Sequence, residues 1–197
     1  MKYIRQNDYP DVPFPTRTDT PEDEYGQHTT FASSGCGLAS AIMVADRLLI
    51  EPAIGIEEAL ALCYECGANH GTGTDYKRYA PAFAEKMGLA LTISEDPEEL
   101  RRCLRTGGAA VIHCSNNQPG RTAVFTLKGH YITAIAEAED GRIVILDPAY
   151  KPGKYDIPER AGKVDDRNAP FVLTPMQVLV EDSYGKRPNC FYLFRRK

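Results

Sequence analysis

The first half of the chain carries apolar residues at helical spacing. In the run FASSGCGLASAIMVADRLL, which covers residues 31–49, Leu38, Ile42 and Leu49 share one helix face. Three further segments repeat this period and end at glycines, which commonly stop helices. Helices are predicted in residues 31–49, with Ser33 or Ser34 as N-cap; in 55–67; in 71–89, after a glycine turn and stopping at Gly88; and in 96–108, starting at Asp96 or Pro97.

After Gly108 the pattern changes to runs of β-branched and aromatic residues, which predict strands. The dipeptide Asp140-Gly141 is a hairpin-turn signal between two of these runs. Because the helices precede the strands, the sequence predicts an α+β domain with a C-terminal antiparallel sheet. The predicted strands are 109–115, 130–138, 142–149 and 189–196, while 171–182 reads as the end of a strand and a short helix starting near Thr174.

Size and composition are ordinary for a globular protein and narrow the classes it can belong to. The 197 residues, 43% hydrophobic and 25% charged, predict a single domain over 1–197. Residues 1–30 are rich in loop-forming residues and predict an N-terminal covering segment. A net charge of −4 gives no indication of nucleic-acid binding, and no apolar run reaches the length of a membrane span. The opening lacks the apolar region of a signal peptide, so we expect a cytoplasmic protein; its oligomeric state is left open.

Six cysteines could form a disulfide framework, but a chain of this size does not need one. Cys63 and Cys66 make a single CxxC pair, and His70 is the only additional metal-binding side chain close in sequence. A zinc site usually needs a second such pair, and a redox pair belongs at a helix start. The pair falls at a predicted helix end, so we interpret it as two partly buried thiols.

Cys36 stands apart because it lies between two glycines at the start of a predicted helix. Unpaired N–H groups and the helix dipole favour negative charge there, and the thiolate is the nucleophilic form of cysteine. Glycines on both sides allow other groups to approach the sulfur. The residue is therefore a candidate nucleophile, although a cysteine placed there by chance reads the same way.

His130 and Asp147 can supply the rest of a nucleophilic site. His130 opens one predicted strand, and Asp147 closes its hairpin partner before a proline. A turn at 140–141 brings both positions to the same end of the two strands. A carboxylate beside an imidazole fixes its tautomer and stabilises its protonated form. The sequence thus predicts a Cys–His–Asp set in chain order.

The motifs SSGCGLASAIMV and GHYITAIAEAEDGRIVILDPA, with the opening YIRQNDYP, resemble papain-like cysteine peptidases. The similarity extends over most of the chain and is greatest to stand-alone bacterial domains of the bacteriocin-processing, double-glycine leader peptidase type. It implies a papain-like fold, with the nucleophile helix of the N-terminal part packed on the C-terminal sheet.

The resemblance also implies roles for individual residues. Cys36 is the nucleophile, His130 the general base and acid, Asp147 the residue that orients His130, and Gln6 a side-chain donor to the oxyanion. Gln27 lies closer to Cys36 in sequence and competes with Gln6, which we favour on its motif context. The implied substrate is a peptide or protein, with no metal or cofactor. Two alternatives stay open: acyl transfer by the same triad, and a non-catalytic peptide-binding domain.

Overall fold

The computed structural model describes residues 1–17, 28–116 and 119–197. Short 3-10 turns lie at Gln6–Asp8 and Tyr184–Lys186. The helices are α1 (Phe31–Ser34), α2 (Cys36–Arg47), α3 (Ile56–Glu65), α4 (Tyr76–Lys86), α5 (Pro97–Arg105) and α6 (Met176–Asp182). The strands are β1 (Asn69–His70), β2 (Gly73–Thr74), β3 (Leu89–Ser94), β4 (Ala109–Ser115), β5 (Gly129–Glu137), β6 (Ile143–Leu146), β7 (Phe171–Thr174) and β8 (Phe191–Arg196).

Within these described ranges, six strands form one sheet in the order β3-β8-β4-β5-β6-β7, and β1 pairs separately with β2. Every neighbouring pair in the large sheet is antiparallel. Cys114 of β4 lies opposite His130 of β5, and Thr133 of β5 lies opposite Leu146 of β6. This combination of helices with an antiparallel sheet confirms the predicted α+β class.

Alternating side chains of the sheet build a hydrophobic core on each of its faces. Val111 of β4 faces the core that includes α2, α3 and α4, whereas its neighbour Ile112 faces the core that includes α5 and α6. The N-terminal segment adds Ile4 and Phe14 to the first core. Helix α2, which starts at Cys36, is almost wholly buried between α3 and the strands β4 and β5. Helix α2 therefore packs on the sheet through β4 and β5.

Two details of the predicted first helix are wrong. Residues 31–47 form two helices, and the N-cap of α2 is Gly35, because Ser33 instead forms a capping box with Thr30 at the start of α1. Leu49 lies outside the helix, 74% exposed with φ of 52°. The guanidinium of Arg196, from the last strand, donates hydrogen bonds to the Leu48 and Leu49 carbonyls at 2.6 and 2.7 Å and so satisfies carbonyls that the helix end leaves free.

The strand Leu89–Ser94 was not predicted, and it modifies the expected order of helices followed by strands. It follows α4 and pairs with β8, the last strand of the chain, at one edge of the sheet. Its pairing partner is about one hundred residues away in sequence, so no local turn signal announces it.

Among the described residues, no helix is long and apolar enough to cross a membrane.

Candidate active site

Cys36 is the first residue of α2, and its thiol opens onto a cavity of about 300 Å³. The side chain is only partly exposed. The backbone N–H of Gly37 and that of Tyr131 both favour the charged form of the thiol. This is the environment that a helix N-terminus provides for a negative charge. The predicted placement of the thiol at the start of a helix is therefore correct.

Gly35 is required by the local packing. An ideal Cβ on this residue would lie 2.5 Å from the Phe31 carbonyl oxygen and 2.7 Å from the Phe31 ring. Both are closer than any real contact of that kind, and Phe31 is completely buried. Gly35 thus allows α1 to pack directly against the start of α2.

We expect Gly35→Ala to destabilise the protein by about 1–3 kcal/mol, the usual cost of inserting a methyl group into a filled site. Urea unfolding measures the change. Gly129→Ala is the matched control, because a Cβ on Gly129 meets no atom within 4 Å. Equal free energies of unfolding for the two variants would show that the contact with Phe31 is unimportant.

His130 lies at the start of β5 and is 6% exposed. Its Nε2 is 2.7 Å from Oδ1 of Asp147, and its ring also makes a hydrogen bond with the Cys36 thiol. Because Nε2 is engaged by the carboxylate, Nδ1 is the nitrogen left for the sulfur. The three predicted residues therefore form one continuous hydrogen-bonded chain.

The pKa of the thiol is lowered and the pKa of the imidazole is raised, so both groups shift towards their charged forms. Burial alone would raise the pKa of Cys36, but the hydrogen bond and charge of His130 outweigh it, and that pKa is lowered. Burial alone would lower the pKa of His130, but Asp147 and the hydrogen bond to Cys36 outweigh it, and that pKa is raised. These directions favour a thiolate–imidazolium pair.

Asp147 follows the last residue of β6 and is completely buried. Besides Nε2 of His130, its carboxylate accepts hydrogen bonds from the Ala149 N–H at 2.9 Å and the Tyr155 hydroxyl at 2.6 Å. It also forms an ion pair with Lys154. Burial would raise the pKa of Asp147, but the charges of Lys154 and His130 hold it well below its usual range. The carboxylate is therefore ionised and fixed in position.

Lys154 and Tyr155 were missed by the sequence analysis. Both lie in the irregular segment between β6 and β7, in the stretch YKPGKYDIP. Lysine and tyrosine are common in loops, and nothing in this stretch indicates that two side chains turn back to one carboxylate. Only the closure of this segment over the end of β6 brings them there.

No known protein-family profile matches the chain, and no curated protein matches it. A structural match is found with the crystal structure of a Bacillus anthracis protein that has been proposed to be a C39-like peptidase. The TM-score is 0.53 at 13% sequence identity, and the match covers 100% of this chain and 99% of the other. The chain has the fold of a C39-like peptidase. At this identity the match establishes the fold alone.

Within this C39-like fold, Gln6 bridges the segment that precedes Cys36 and the segment that follows Asp147. Its Nε2 donates to the Ala32 carbonyl at 2.7 Å, and its backbone N–H donates to the Pro148 carbonyl at 2.8 Å. Its Oε1 is buried with no hydrogen-bond partner among the described residues. No hydrogen bond links Gln6 directly to Cys36 in the described part of the chain. The competing candidate, Gln27, lies outside the described residues.

The other five cysteines differ from Cys36 in the direction of their pKa shift: burial raises the pKa of each, and no neighbouring group outweighs it. The pKa of Cys63 reaches about 12. Cys63 lies in the last turn of α3 and Cys66 is its C-cap, as the sequence predicted. All six cysteines are described, and each is a free thiol.

In the described ranges, no cluster of three or more His, Cys, Asp or Glu side chains is arranged to hold a metal ion.

Proposed function

We propose that this protein is a papain-like cysteine peptidase that cleaves peptide bonds through a thioester acyl-enzyme. The observation that carries the proposal is the hydrogen-bonded chain from Cys36 through His130 to Asp147, together with the lowered pKa of the thiol and the raised pKa of the imidazole. The C39-like fold is consistent with this chemistry. Packing alone does not explain why the Cys36 thiol is hydrogen-bonded to a buried histidine that lowers its pKa.

In the proposed mechanism the Cys36 thiolate attacks the carbonyl carbon of the scissile bond. The protonated His130 gives its proton to the leaving amine, the C–N bond breaks, and a thioester remains on Cys36. His130, now neutral, takes a proton from water, which attacks the thioester and releases the acid. Asp147 accepts the hydrogen bond of Nε2 throughout, so the ring keeps its orientation through both steps.

Two donors are proposed for the negative oxygen of the tetrahedral intermediate. One is the backbone N–H of Cys36 at the start of α2, where the helix dipole favours negative charge. The other is the Nε2 of Gln6, whose second hydrogen is not used by the bond to Ala32. The double anchorage of Gln6 to Ala32 and Pro148 holds its amide at a fixed place before substrate arrives.

The test is the pH dependence of alkylation at each cysteine, read by peptide mass spectrometry. We expect Cys36 to react fastest, with a midpoint below the value of about 8.5 for a free thiol. In His130→Ala the burial remains while the lowering contribution of the imidazole is lost, so the midpoint should move above that value. Cys66, also partly exposed, is the internal control. Equal reactivity of Cys36 and Cys66, unaffected by His130→Ala, would contradict the proposed ion pair.

A further inference from the structure

The cavity beside Cys36 is lined on one side by basic side chains and by no carboxylate among the described residues. Lys128 and Lys186 both line it, together with His113, which stacks on Tyr131 with ring centroids 4.1 Å apart. Neither lysine forms an ion pair with any described residue. Since the chain as a whole carries a net charge of −4, a cationic wall at this place is not a consequence of overall composition.

Three carboxylates on segments that adjoin the cavity lining are paired with other groups. Asp75 caps α4 by accepting the Lys77 N–H, and it pairs with Arg78 at 3.3 Å. Glu181 and Asp182 both pair with Arg121, at 2.7 and 2.6 Å. The positive charges of the two lysines therefore have no protein counter-charge in the described part of the chain. An anionic group of a ligand could therefore bind them without displacing a protein carboxylate.

The segments that carry the two lysines are tied together by one buried residue. Asp182 is fully buried and accepts hydrogen bonds from the backbone N–H groups of Val124 and Phe125, four and three residues before Lys128, at 2.9 and 2.8 Å. The chain then continues from Asp182 into the 3-10 turn that ends at Lys186 and packs on β4. Asp182 thus links the backbone segments that lead to the two lysines lining the cavity.

The positive field of this wall reaches the interior of the cavity. The pKa of His113 is lowered to about 3, first by burial and then by the charges of Lys186, His130 and Lys77. His113 is thus neutral and can accept or donate a hydrogen bond, while the lysines supply the charge. A cavity of about 300 Å³ has room for a single substrate side chain next to the sulfur.

We propose that Lys128 and Lys186 form a subsite for a carboxylate of the substrate, and that the peptide cleaved has an acidic side chain beside the scissile bond. This inference rests on the proposed function, because it takes the reacting bond to be the one that Cys36 attacks. The lysines act on specificity: they attract the acidic side chain and align the bond with the thiolate, with no part in proton transfer.

The first experiment needs no peptide substrate. Iodoacetate and iodoacetamide alkylate a thiolate by the same displacement of iodide, and they differ in carrying a carboxylate or a neutral amide. The rate constant for iodoacetate divided by that for iodoacetamide at Cys36, measured on the full chain by mass spectrometry, reports the local charge. We expect this ratio to fall about fivefold in the double variant Lys128→Met/Lys186→Met, since two positive charges near a protein surface attract an anionic reagent by roughly that factor.

Lys86→Met is the matched control. It removes the same charge from the exposed far end of α4, about 16 Å along the helix from Asp75, and should leave the ratio unchanged. The fivefold effect should also shrink at high salt. If Cys36 reacts rapidly but the ratio is the same in the double variant and the wild type, the subsite is overturned and the proposed function stands. If Cys36 is no more reactive than Cys66, the proposed function fails and the subsite with it.

The second experiment uses peptides with blocked termini that differ only in Glu or Gln beside the scissile bond. We expect kcat/KM to favour the Glu peptide, and the double lysine variant to lose about the same fivefold preference. A Gln peptide with a free C-terminus separates the two sources of a carboxylate. A preference for the free C-terminus without a preference for the Glu side chain overturns the proposal.

Discussion

Replacement of Cys36 by alanine is expected to reduce peptide hydrolysis roughly 10⁶-fold, the size of the effect found when a triad loses its nucleophile. The oxyanion donors and the binding cavity remain in this variant, but no thioester can form. Alanine is smaller than cysteine and lies at a partly exposed position, so the fold should be retained. The measurement is cleavage of a peptide pool followed by mass spectrometry, with circular dichroism to verify the fold.

Cys66→Ala is the matched control for this prediction. Cys66 is also partly exposed and also lies at a helix terminus, but at the C-cap of α3, where the dipole disfavours a thiolate. Its loss should leave hydrolysis unchanged. Hydrolysis by Cys36→Ala at the rate of Cys66→Ala would mean that another group performs the reaction.

Substitution of Asp147 is expected to affect both activity and stability, because one buried carboxylate serves two purposes. It orients His130 through Nε2 and it is the counter-charge of Lys154, whose side chain is itself only 10% exposed. Asp147→Ala removes both functions. We expect a loss of about 3–5 kcal/mol in the free energy of unfolding, the range for leaving one partner of a buried ion pair alone. Activity should fall by about 10⁴-fold, the size of the effect found when a triad loses its carboxylate residue.

Asp147→Asn separates the two purposes. The amide oxygen can still accept the hydrogen bond from Nε2, so the ring keeps its orientation, but the amide cannot neutralise Lys154. We therefore expect a loss of stability close to that of Asp147→Ala with a much smaller loss of kcat/KM. Removing the lysine as well, in Asp147→Asn/Lys154→Met, should restore part of the stability because no charge is left unpaired. Urea unfolding and kcat/KM are measured for all three variants.

Tyr155→Phe is the reference for a single hydrogen bond to the same carboxylate, expected to cost about 1–3 kcal/mol. If Asp147→Ala unfolds at the same urea concentration as the wild type, the ion pair with Lys154 does not contribute to stability. If Asp147→Asn is as inactive as Asp147→Ala, the negative charge matters for catalysis beyond its role in orienting the ring.

Much of the chain's architecture could be predicted from local sequence patterns. The strand Ala109–Ser115 and the hairpin turn at Asp140-Gly141 occupy the expected segments, and Asp96 and Pro97 start α5 as predicted. These signals are local, since periodicity, caps and turns depend on neighbouring residues. The juxtaposition of His130 and Asp147 also followed, because an antiparallel hairpin fixes which residues share an end.

What the sequence could not determine depends on contacts between distant segments. The strand Leu89–Ser94 pairs with the last strand of the chain, about one hundred positions away. Arg196 caps the end of α2 by donating a hydrogen bond to the Leu48 carbonyl, which is more than one hundred positions away. Lys154 and Tyr155 reach Asp147 only because an irregular loop folds back over it.

The sequence by itself thus determined the α+β class and the candidate nucleophile, imidazole and carboxylate. Only the tertiary structure decided which further charges surround them. The reason is physical: a helix or hairpin is specified by the spacing of nearby side chains, whereas the electrostatic environment of a buried group is the sum of all the segments that pack around it.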